Sequence, residues 1–465
     1  MESPDIPLGH LGNLSTGQQG ALKDMWACFY ALQSDSGEVQ SRYGTRVSLS
    51  EASQWVKECG GYETFHSAFW ASPFAGHPDS TMLRFLRARK FDVSAGITML
   101  ANAIKWRVEV GADKIIEQGE EVLNRDLPGF DLQMKSGKTY IHGTDRQNRP
   151  IYYVHVQLHN PKAQTFEVLR DFTIYGVETG RSFLSPPTNQ ICLLFDMTGF
   201  GLKNMDWQYI LFLVKAFEAY YPETLGTLLL HGAPWIFGGI WRVLKPLLDP
   251  VIASKFVFTR TDQELFEYVH PDQLIKSLGG NEQWTWSYTD CIDGENARLR
   301  DEPLSAQWKS KRAAALERVE EASKYWIAND TQTAVAAREK SIDEYRATSI
   351  EADPYIRPRT VYHRHGNLLE DGTVFWHYES AASDQVSGTP VGKLKEEARL
   401  ADGKVGFSKD TGKNAAASVP DSDVDTSIGK LKEQAQVADG EGIFSEELDE
   451  TVVVSAVNGD VHSSS

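Results

Sequence analysis

The first 125 or so residues place apolar side chains at the spacing of amphipathic helices. The segment STGQQGALKDMWACFYALQ begins with two candidate N-caps, Ser15 and Thr16. One face of this predicted helix holds Leu22, Met25, Trp26, Phe29 and Tyr30. Two further segments, DSTMLRFLRARKF and DVSAGITMLANAIKWRVEVG, have the same character, with Asp79 or Ser80 and then Asp92 as candidate caps. The pattern predicts an N-terminal bundle of helices.

The pattern changes near Pro128 from helical spacing to that of strands. GKTYIHGTD and RPIYYVHVQ alternate and are rich in Tyr, Ile and Val, which predicts a pair of strands. Helical segments then alternate with the apolar runs QICLLFD, TLGTLLLHG and SKFVF. Continuous apolar strands are typical of parallel or mixed sheets that are buried on both faces. The sequence therefore predicts an α/β domain, which ends with PDQLIKSLGG.

A third region follows the predicted sheet. From Leu304 to about Ser349, Ala, Glu, Lys and Arg dominate and predict helix, and PRTVYHRHGNLLEDGTVFWHY predicts a hairpin that turns at Glu370-Asp371-Gly372. These changes divide the chain into four predicted parts. They are a helical region 1–125, an α/β domain 126–290, a helical and hairpin extension 291–380, and a tail 381–465.

The tail contains a repeat. VGKLKEEARLADGKVGFS, which begins at Val391, recurs as IGKLKEQAQVADGEGIFS from Ile428. Large apolar side chains are few around it, so burial cannot offset the entropy cost of ordering this segment. We predict a disordered acidic tail with an internal repeat. The alternative is a pair of short helices that bind a protein partner through Leu394 and Leu431.

Charge and cysteine content narrow the classes of function. The 465 residues carry a net charge of -17, and from Ala381 onward 8 Lys or Arg stand against 16 Asp or Glu. This balance argues against a general nucleic-acid role. The four cysteines are widely spaced and include no CxxC, a pattern that is typical of a reducing compartment. No signal peptide is predicted, and the uncharged run from Thr224 to Trp241 is broken by glycine and proline and too short for a membrane span.

Motifs that carry catalysis or metal binding are missing from the sequence. It has no G-x-S-x-G, no P-loop and no His pair at metal spacing, so we predict no enzyme activity, no catalytic residue and no metal site. Lys255 lies in the apolar run PLLDPVIASKFVF, where its ammonium group requires water or an anion. APWIFGGIWRVLKPLLDP predicts a helix that is apolar around nearly its whole circumference, as in a core helix or one wall of an apolar cavity.

Several of these segments together resemble the CRAL-TRIO lipid-binding family. They are, in order, TMLRFLRARKFDVSAG with KWR, RPIYYV, LLFDMTG, YYPETLGTLLLHGAPWIFGGIWRVLKPLLDPVIASKFVF and LIKSLGG, between Thr81 and Gly280. Within that family the chain is most similar to the phosphatidylinositol transfer proteins, and its longer ends are similar to those of fungal members. The resemblance implies a CRAL-TRIO-N helical region followed by a sheet and helices that enclose an apolar lipid cavity.

The resemblance also implies roles for individual residues. The head group of the lipid is expected to lie near Arg89, Lys90, Glu223, Asp249, Ile252 and Lys255. The expected cavity and gate residues are Tyr152, Ile191, Leu193, Phe237, Trp241, Leu244, Leu248 and Phe256. The helix from Phe237 to Leu248 matches the mobile gate of the family. For Lys255 an ion pair with Asp249 or Glu223, or an outward-turned side chain, stays an alternative.

The sequence departs from the family pattern at three positions. Family members that also bind phosphatidylcholine carry Ser and Thr where this chain has Ile191 and Leu193, which implies that the choline-lipid site is lost. Tyr152 still matches a tyrosine of that region. A threonine that is usual near the inositol phosphate is replaced by Ile252, so one hydrogen bond to the head group is expected to be absent.

These observations lead to one main hypothesis and two alternatives. The main hypothesis is a soluble, cytoplasmic carrier, transiently peripheral on membranes, that moves phosphatidylinositol between membranes or presents it to lipid kinases. It needs no cofactor other than the bound lipid. The first alternative is a carrier or sensor of an uncharged hydrophobe such as a sterol, squalene or a tocopherol-like molecule. The second is an interaction module that acts through the tail repeats.

Overall fold

The computed structural model describes residues 6–34, 37–42, 44–184, 189–379, 384–388 and 390–401. Its helices are α1 (Thr16–Ala31), α2 (Ser50–Glu58), α3 (Tyr62–Ala71), α4 (Pro78–Ala88), α5 (Val93–Glu109), α6 (Ala112–Asp126), α7 (Phe130–Lys135), α8 (Phe166–Gly180), α9 (Trp207–Lys215), α10 (Phe237–Leu244), α11 (Pro250–Ala253), α12 (Asp262–Phe266), α13 (Ala297–Arg300), α14 (Glu302–Ala328), α15 (Gln332–Ile356), α16 (Val361–Arg364) and α17 (Val391–Ala401). Its strands are β1 (Glu38–Gln40), β2 (Arg46–Ser48), β3 (Thr139–Thr144), β4 (Pro150–His155), β5 (Ile191–Asp196), β6 (Leu225–His231), β7 (Phe256–Thr259), β8 (Thr373–Trp376) and β9 (Gln385–Gly388). The segment Trp235–Leu247, which contains α10, belongs to a unit separate from the main unit of the described residues.

The N-terminal helices surround an aromatic core. The side chain of Ser15 accepts a hydrogen bond from the Gln18 backbone, and the Gln18 side chain accepts one from the Ser15 backbone. This capping box fixes the start of α1, as the sequence predicts. The rings of Trp26 and Trp70 are stacked with centroids 5.8 Å apart, and Phe69 meets Trp26 edge-on. The aromatic face of α1 is therefore the inner face of the bundle.

Two details of this region differ from the sequence prediction. A two-stranded antiparallel sheet, β1 and β2, interrupts the predicted helices. Each strand has only three residues, too few for its alternation to be recognised in the sequence. The helix α4 begins at Pro78, and His77 rather than Asp79 or Ser80 is its N-cap. Proline favours the first helical position, so the start lies earlier than the acidic residue indicates. The cap of α5 is Asp92, as predicted.

The middle of the chain forms a mixed five-stranded sheet with the order β3-β4-β5-β6-β7. β3 and β4 are antiparallel, and β4 to β7 run parallel to one another. The helices α8 and α9 come between the parallel strands in sequence, so the alternation of apolar strands and helices predicted the fold class correctly. Residues that immediately precede the parallel strands consequently lie at one common end of the sheet.

The two faces of this sheet have different surroundings. One face packs tightly against the segment that follows β7. The residues of this core include Ile151, Tyr153, Cys192, Leu194, Leu229, Leu265, Val269, Leu274 and Ile275. The strand register places Tyr152, Leu193, Leu228 and Phe256 side by side on the opposite face. Leu193 and Leu228 are buried on that face, whereas Tyr152 and Phe256 are only half-buried.

The free edge of β3 is covered by side chains of the C-terminal extension. The Ile141 backbone N–H donates a hydrogen bond to the Tyr362 hydroxyl at 2.8 Å. The Thr144 N–H donates to the Tyr378 hydroxyl at 3.0 Å, beside a register shift in the strand. Gly143 has a φ of 63°, and a Cβ there would lie 2.6 Å from the Tyr378 hydroxyl oxygen. Only glycine therefore fits between the edge strand and this tyrosine.

The C-terminal extension packs as part of the main unit and shares the core of the N-terminal helices. Val319 and Trp326 of α14 and Ile342 and Tyr345 of α15 are buried in the same cluster as Trp26. The chain reverses direction at the predicted Asp371-Gly372 position, immediately before β8, and the Leu369 N–H donates to the Thr373 carbonyl across this turn. The predicted hairpin is confirmed, because Leu368 and Val374 form an antiparallel bridge across the turn and the Phe375 N–H donates to the Asn367 carbonyl at 2.9 Å. The ladder partner of β8, however, is the later strand β9, and this pairing was not predicted.

The first eleven residues of the first copy of the tail repeat form the helix α17. α17 packs on α15, with Leu394 fully buried and Ala398 4% exposed, and Lys395 forms an ion pair with Glu351. The predicted disordered segment started at residue 381, whereas β9 and α17 lie within 384–401. The helical alternative holds for Leu394, but its contact is within the chain. Leu431 and the second copy lie outside the described residues.

A buried ion pair joins α4 to α15. Arg338 donates to both carboxylate oxygens of Asp79, at 2.7 and 2.5 Å, and the Trp26 indole N–H donates to the same carboxylate at 2.7 Å. Although burial alone raises the pKa of Asp79, Arg338 holds it below its ordinary value. Both side chains are at most 3% exposed. The pair fixes how the extension sits on the N-terminal helices.

Removal of Arg338 should strongly destabilise the protein. Arg338→Met leaves the Asp79 carboxylate buried without its cation, and the loss of one partner of a buried pair costs about 3–5 kcal/mol. Urea unfolding should show this loss, and the added change Asp79→Leu should recover part of it. Arg318→Met, at a side chain that is 54% exposed, is the matched control. An equal cost for both single variants would contradict the assignment.

The stability of the fold should also depend on the charge of His142. Burial lowers the pKa of His142 to about 3, and its ring stacks on Trp284 with centroids 3.9 Å apart. In the unfolded chain a histidine titrates near 6.5. Between these two values the unfolded state binds more protons, so stability falls as the pH falls from about 6.5 towards 3.

Unfolding free energies measured between pH 7 and pH 4 test this dependence. His142→Phe should weaken the decrease, because the unfolded state then has one fewer proton to gain. His270→Gln, at a side chain that is 51% exposed, should leave the decrease as in the parent. A full decrease in the His142→Phe protein would show that other groups cause it.

Candidate functional site

Two charged residues stand at the common end of the parallel strands. Glu223 lies just before β6 and Lys255 just before β7. The Lys255 carbonyl accepts a hydrogen bond from the Leu228 N–H at 2.8 Å, which ties its backbone to the sheet. Glu223 has a φ of 56°, a left-handed conformation that is rare outside glycine and is held here by the turn after Pro222. The sheet thus determines where both side chains begin.

Glu223 is the carboxylate between two cations. Its oxygens lie 4.0 Å from Lys255 Nζ and 3.9 Å from Arg87 Nε, both longer than a hydrogen bond. Arg87 donates from Nη1 to the Gly9 carbonyl at 3.1 Å, but its buried Nε has no hydrogen-bond partner. The three side chains are 11–21% exposed. The Glu223 carboxylate therefore lies between two largely buried cations without a hydrogen bond to either.

The electrostatics of this group favour an additional anion. Burial lowers the pKa of Lys255, and Arg87 and Arg149 lower it further, while Glu223 and Asp249 act against them. Burial also lowers the pKa of Arg87 to about 10, against the opposing effect of Glu223. Cations whose pKa values are depressed in this way are stabilised when a negative charge approaches. The group can hold a phosphate-like anion without covalent chemistry.

The structure brings together some of the predicted head-group residues and not others. Glu223 and Lys255 are adjacent, and Asp249 lies close enough to act on Lys255. Asp249 itself accepts a hydrogen bond from the Val251 N–H at 2.7 Å and so caps α11, the helix of Ile252. Arg89 and Lys90 are exposed, whereas Arg87 lies beside Glu223. The roles predicted for these residues stay predictions.

Sequence reasoning missed Arg87 because it did not fix the end of α4. The helix ends at Ala88, and Arg89 occupies its C-cap, so the chain has already turned away at Lys90, which has a φ of 51°. Arg87 is three residues after Arg84 and shares its helix face. The position of the helix end was the signal that could have shown which of the three basic residues of RARK lies beside Glu223.

The apolar part of the candidate site is the second face of the sheet. Tyr152, Leu193 and Phe256 are aligned across β4, β5, β6 and β7 through the register with Leu228. Ile191, at the start of β5, is 8% exposed. Leu248 is 7% exposed and also belongs to the main unit. Three of the predicted cavity residues therefore share one sheet face, and their role in a cavity stays a prediction.

The helix α9 has an unusual combination of composition and exposure. Its sequence is WQYILFLVK, yet none of its nine residues is fully buried. The apolar side chains from Ile210 to Val214 are all half-buried. Tyr209 is fixed to α8 by a hydrogen bond of 2.8 Å between its hydroxyl and that of Thr173. An apolar helix that does not complete a core is typical of the wall of a hollow that receives an apolar guest.

The predicted gate residues Phe237, Trp241 and Leu244 all lie on α10 in the separate unit Trp235–Leu247. Within that unit Trp235 is 86% exposed, and Val243 and Leu247 are exposed as well. The gate role of this segment stays a prediction.

Comparisons with known proteins agree with this arrangement. The model described as CRAL/TRIO domain matches residues 134–280, and the model described as CRAL/TRIO, N-terminal domain matches residues 29–102. CRAL-TRIO domain-containing protein C3H8.02 of Schizosaccharomyces pombe is 35% identical over 68% of this chain and 70% of its own length. The chain belongs to the CRAL-TRIO family. The predicted family and fold class are thereby confirmed.

Other relatives of this CRAL-TRIO chain carry functional names. Phosphatidylinositol transfer protein CSR1 of Eremothecium gossypii is 35% identical over 69% of this chain and 75% of its own length. SEC14 cytosolic factor of the same organism is 32% identical over 43% of this chain and 69% of its own length. The crystal structure of Sfh5 is similar at a TM-score of 0.33 and 18% identity, over 40% of this chain and 66% of that one.

One trio of side chains in this CRAL-TRIO protein has the spacing of metal ligands. His77, Asp79 and Glu339 place their ligand atoms within 4.8 Å of one another. Both oxygens of Asp79 already accept from Arg338, and His77 contacts Glu339 at 3.2 Å. The trio is therefore explained as part of the ion network between α4 and α15. None of the described helices is both long and apolar enough to span a membrane.

The pKa of Lys255 should respond to Glu223. Glu223→Gln removes the carboxylate that favours the charged ammonium, so the pKa of Lys255 should fall further below its ordinary value. NMR titration of the lysine side chain measures this shift. Glu264→Gln, on α12, is the control and should leave the Lys255 titration unaltered. If both variants titrate like the parent at Lys255, the two side chains do not interact.

Proposed function

We propose that this CRAL-TRIO protein binds phosphatidylinositol and carries it between membranes or presents it to lipid kinases. The observation that supports this most directly is the group of Lys255, Arg87 and Glu223 at the sheet end that leads to the apolar face. An anionic head group on an apolar tail is the ligand that such a pairing accommodates. The name of the CSR1 relative, phosphatidylinositol transfer protein, agrees with the proposal.

The head group has chemistry that is complementary to the three side chains. The phosphate oxygens accept hydrogen bonds from Lys255 and Arg87, which relieves the desolvation that lowers their pKa values. The inositol hydroxyls donate to Glu223. The oxygens of Glu223 are about 4 Å from each cation, so a ligand can enter without breaking a short ion pair. Arg89 and Lys90, which are exposed, assist by attracting the anionic lipid at the membrane surface.

The acyl chains require an apolar enclosure. Each methylene sheltered from water contributes about 0.8 kcal/mol, so two chains with about 30 methylenes would cost well over 20 kcal/mol if they were exposed. Tyr152, Leu193 and Phe256 on the sheet and the half-buried face of α9 provide such a lining. Exchange with a bilayer is then nearly neutral in free energy. The segment Phe237–Leu248 is proposed as the gate that opens during exchange.

The place and partners of this activity follow from the same proposal. The protein would act as a soluble cytoplasmic carrier that touches membranes transiently, in agreement with the name of the SEC14 cytosolic factor relatives. Lipid kinases would receive the inositol lipid from it. The activity involves no covalent step, no catalytic residue and no cofactor besides the lipid.

A second candidate ligand is an uncharged hydrophobe such as a sterol, squalene or a tocopherol-like molecule. Leu193 makes the sheet face apolar where family members that also bind phosphatidylcholine are expected to carry a hydroxyl, and Ile252 removes one expected donor near the head group. Lipids extracted from the purified protein and identified by mass spectrometry distinguish the two candidates. We expect phosphatidylinositol, and a bound lipid without phosphorus would select the second candidate.

Lys255 gives the sharpest test of the main proposal. Lys255→Ala should reduce phosphatidylinositol transfer between vesicles at least tenfold, because the phosphate loses a cation at close range. The melting temperature should change little, since Lys255 forms no short hydrogen bond with Glu223. Lys203→Ala, at an exposed lysine, is the matched control and should transfer normally. Undiminished transfer by Lys255→Ala would rule out the assigned site.

A further inference from the structure

A small cavity lies between α4, α5 and the turn before β6. Its volume is about 30 Å³, room for about two water-sized groups. Its polar lining residues include Arg84, Arg107, Arg181, Tyr221 and Thr224. It is distinct from the Lys255 group, because neither Lys255 nor Glu223 lines it.

The charges around this cavity do not balance. Three arginines line it, and no carboxylate does among the described residues. The nearest carboxylate group, Glu178, accepts from Arg107 at 2.7 Å and from the Tyr221 hydroxyl at 3.0 Å, and it lies 3.4 Å from Arg181. Asp113 pairs with Arg107 as well. The carboxylates of Glu178 and Asp113 thus form ion pairs with Arg107 or Arg181, and neither is hydrogen-bonded to Arg84.

Arg84 is the arginine of this cavity to which no carboxylate is hydrogen-bonded among the described residues. It is 8% exposed and donates from Nη2 to the Asn189 carbonyl at 2.7 Å, while its buried Nε has no partner. Burial, together with Arg181 and Arg87, lowers the pKa of Arg84 to about 9, against the opposing effects of Glu178 and Glu223. A buried cation is normally paired, because an uncompensated charge in the interior is costly. Arg84, which lines this cavity, therefore has a side-chain N–H without a hydrogen-bond partner and a charge without a bonded carboxylate.

We propose that this cavity binds one small monovalent anion of the halide class between Arg84 and Arg181. A halide ion matches the volume and supplies the missing negative charge, whereas a water molecule would satisfy the N–H alone. Inorganic phosphate is larger than the space and would not fit. The proposal does not rest on the lipid ligand, because neither Lys255 nor Glu223 lines the cavity.

The bound anion would have a structural role. Arg84 joins α4 to the chain just before β5 through the Asn189 carbonyl, and Arg181 follows α8 and donates to Ser72 at 2.8 Å. An anion shared by both guanidinium groups would connect the helical region to the α/β domain. It would also offset the repulsion between Arg84 and Arg87, which stand one turn apart on α4.

Thermal unfolding in sodium chloride and sodium gluconate tests the proposal. At constant ionic strength, replacing gluconate stepwise by chloride should raise the melting temperature along a saturating curve, by about 2–4 °C at full replacement. Bromide should act like chloride, and inorganic phosphate should not. In crystals grown with bromide, an anomalous peak should appear between Arg84 and Arg181.

Variants separate this site from general salt effects. Arg84→Met should abolish the chloride response, and Arg318→Met, an exposed arginine on α14, should retain it. If Arg84→Met does not fold, Arg181→Met replaces it, and the bromide crystals test the parent protein directly. Equal melting temperatures in chloride and gluconate, an undiminished response in Arg84→Met, or no anomalous peak in the cavity would each overturn the proposal.

Discussion

The apolar faces of a sheet must be shielded from water, and the two faces of the five-stranded sheet of this protein differ in how they are shielded. Ile151, Cys192 and Leu229 cover one face with a packed core built from the segment after β7. The other face carries Leu193 and Phe256, and the helix α9, which is apolar, is only half-buried. Because the packed face already stabilises the sheet, the second face is the one that we propose as the lining for an apolar ligand. The separation of stability from binding follows from the two-residue period of the strands.

The same separation applies to charge. Asp79 and Arg338 form a short, two-pronged ion pair that holds two helical layers together. Lys255, Arg87 and Glu223 have the same types of charged group, but their distances of about 4 Å leave room between them. Short contacts indicate a structural role, since they already satisfy each charge. Loose contacts between half-buried charges indicate a place that another molecule can complete.

Much of this organisation could be predicted from the sequence. The strands QICLLFD and TLGTLLLHG are found where their apolar runs indicate, and Lys255 is recognisable because it is the one lysine in an apolar run. The features that were not predicted depend on information that the periodicity of apolar residues does not contain. The three-residue strands β1 and β2 are too short for a pattern, and α17 is ordered because α15 supplies its partner. The choice among Arg87, Arg89 and Lys90 depended on one helix end, which sequence reasoning fixes only within a few residues.

The tyrosines that cover β3 have a consequence beyond this fold. An open sheet edge is a template on which another chain can add a strand, so proteins protect such edges. Here Tyr362 and Tyr378, from far along the chain, occupy the backbone donors of Ile141 and Thr144. Any shorter version of the protein that ended at the α/β domain would uncover this template. The C-terminal extension thus acts as a guard against intermolecular β-pairing, which ties the solubility of the lipid-binding fold to residues outside it.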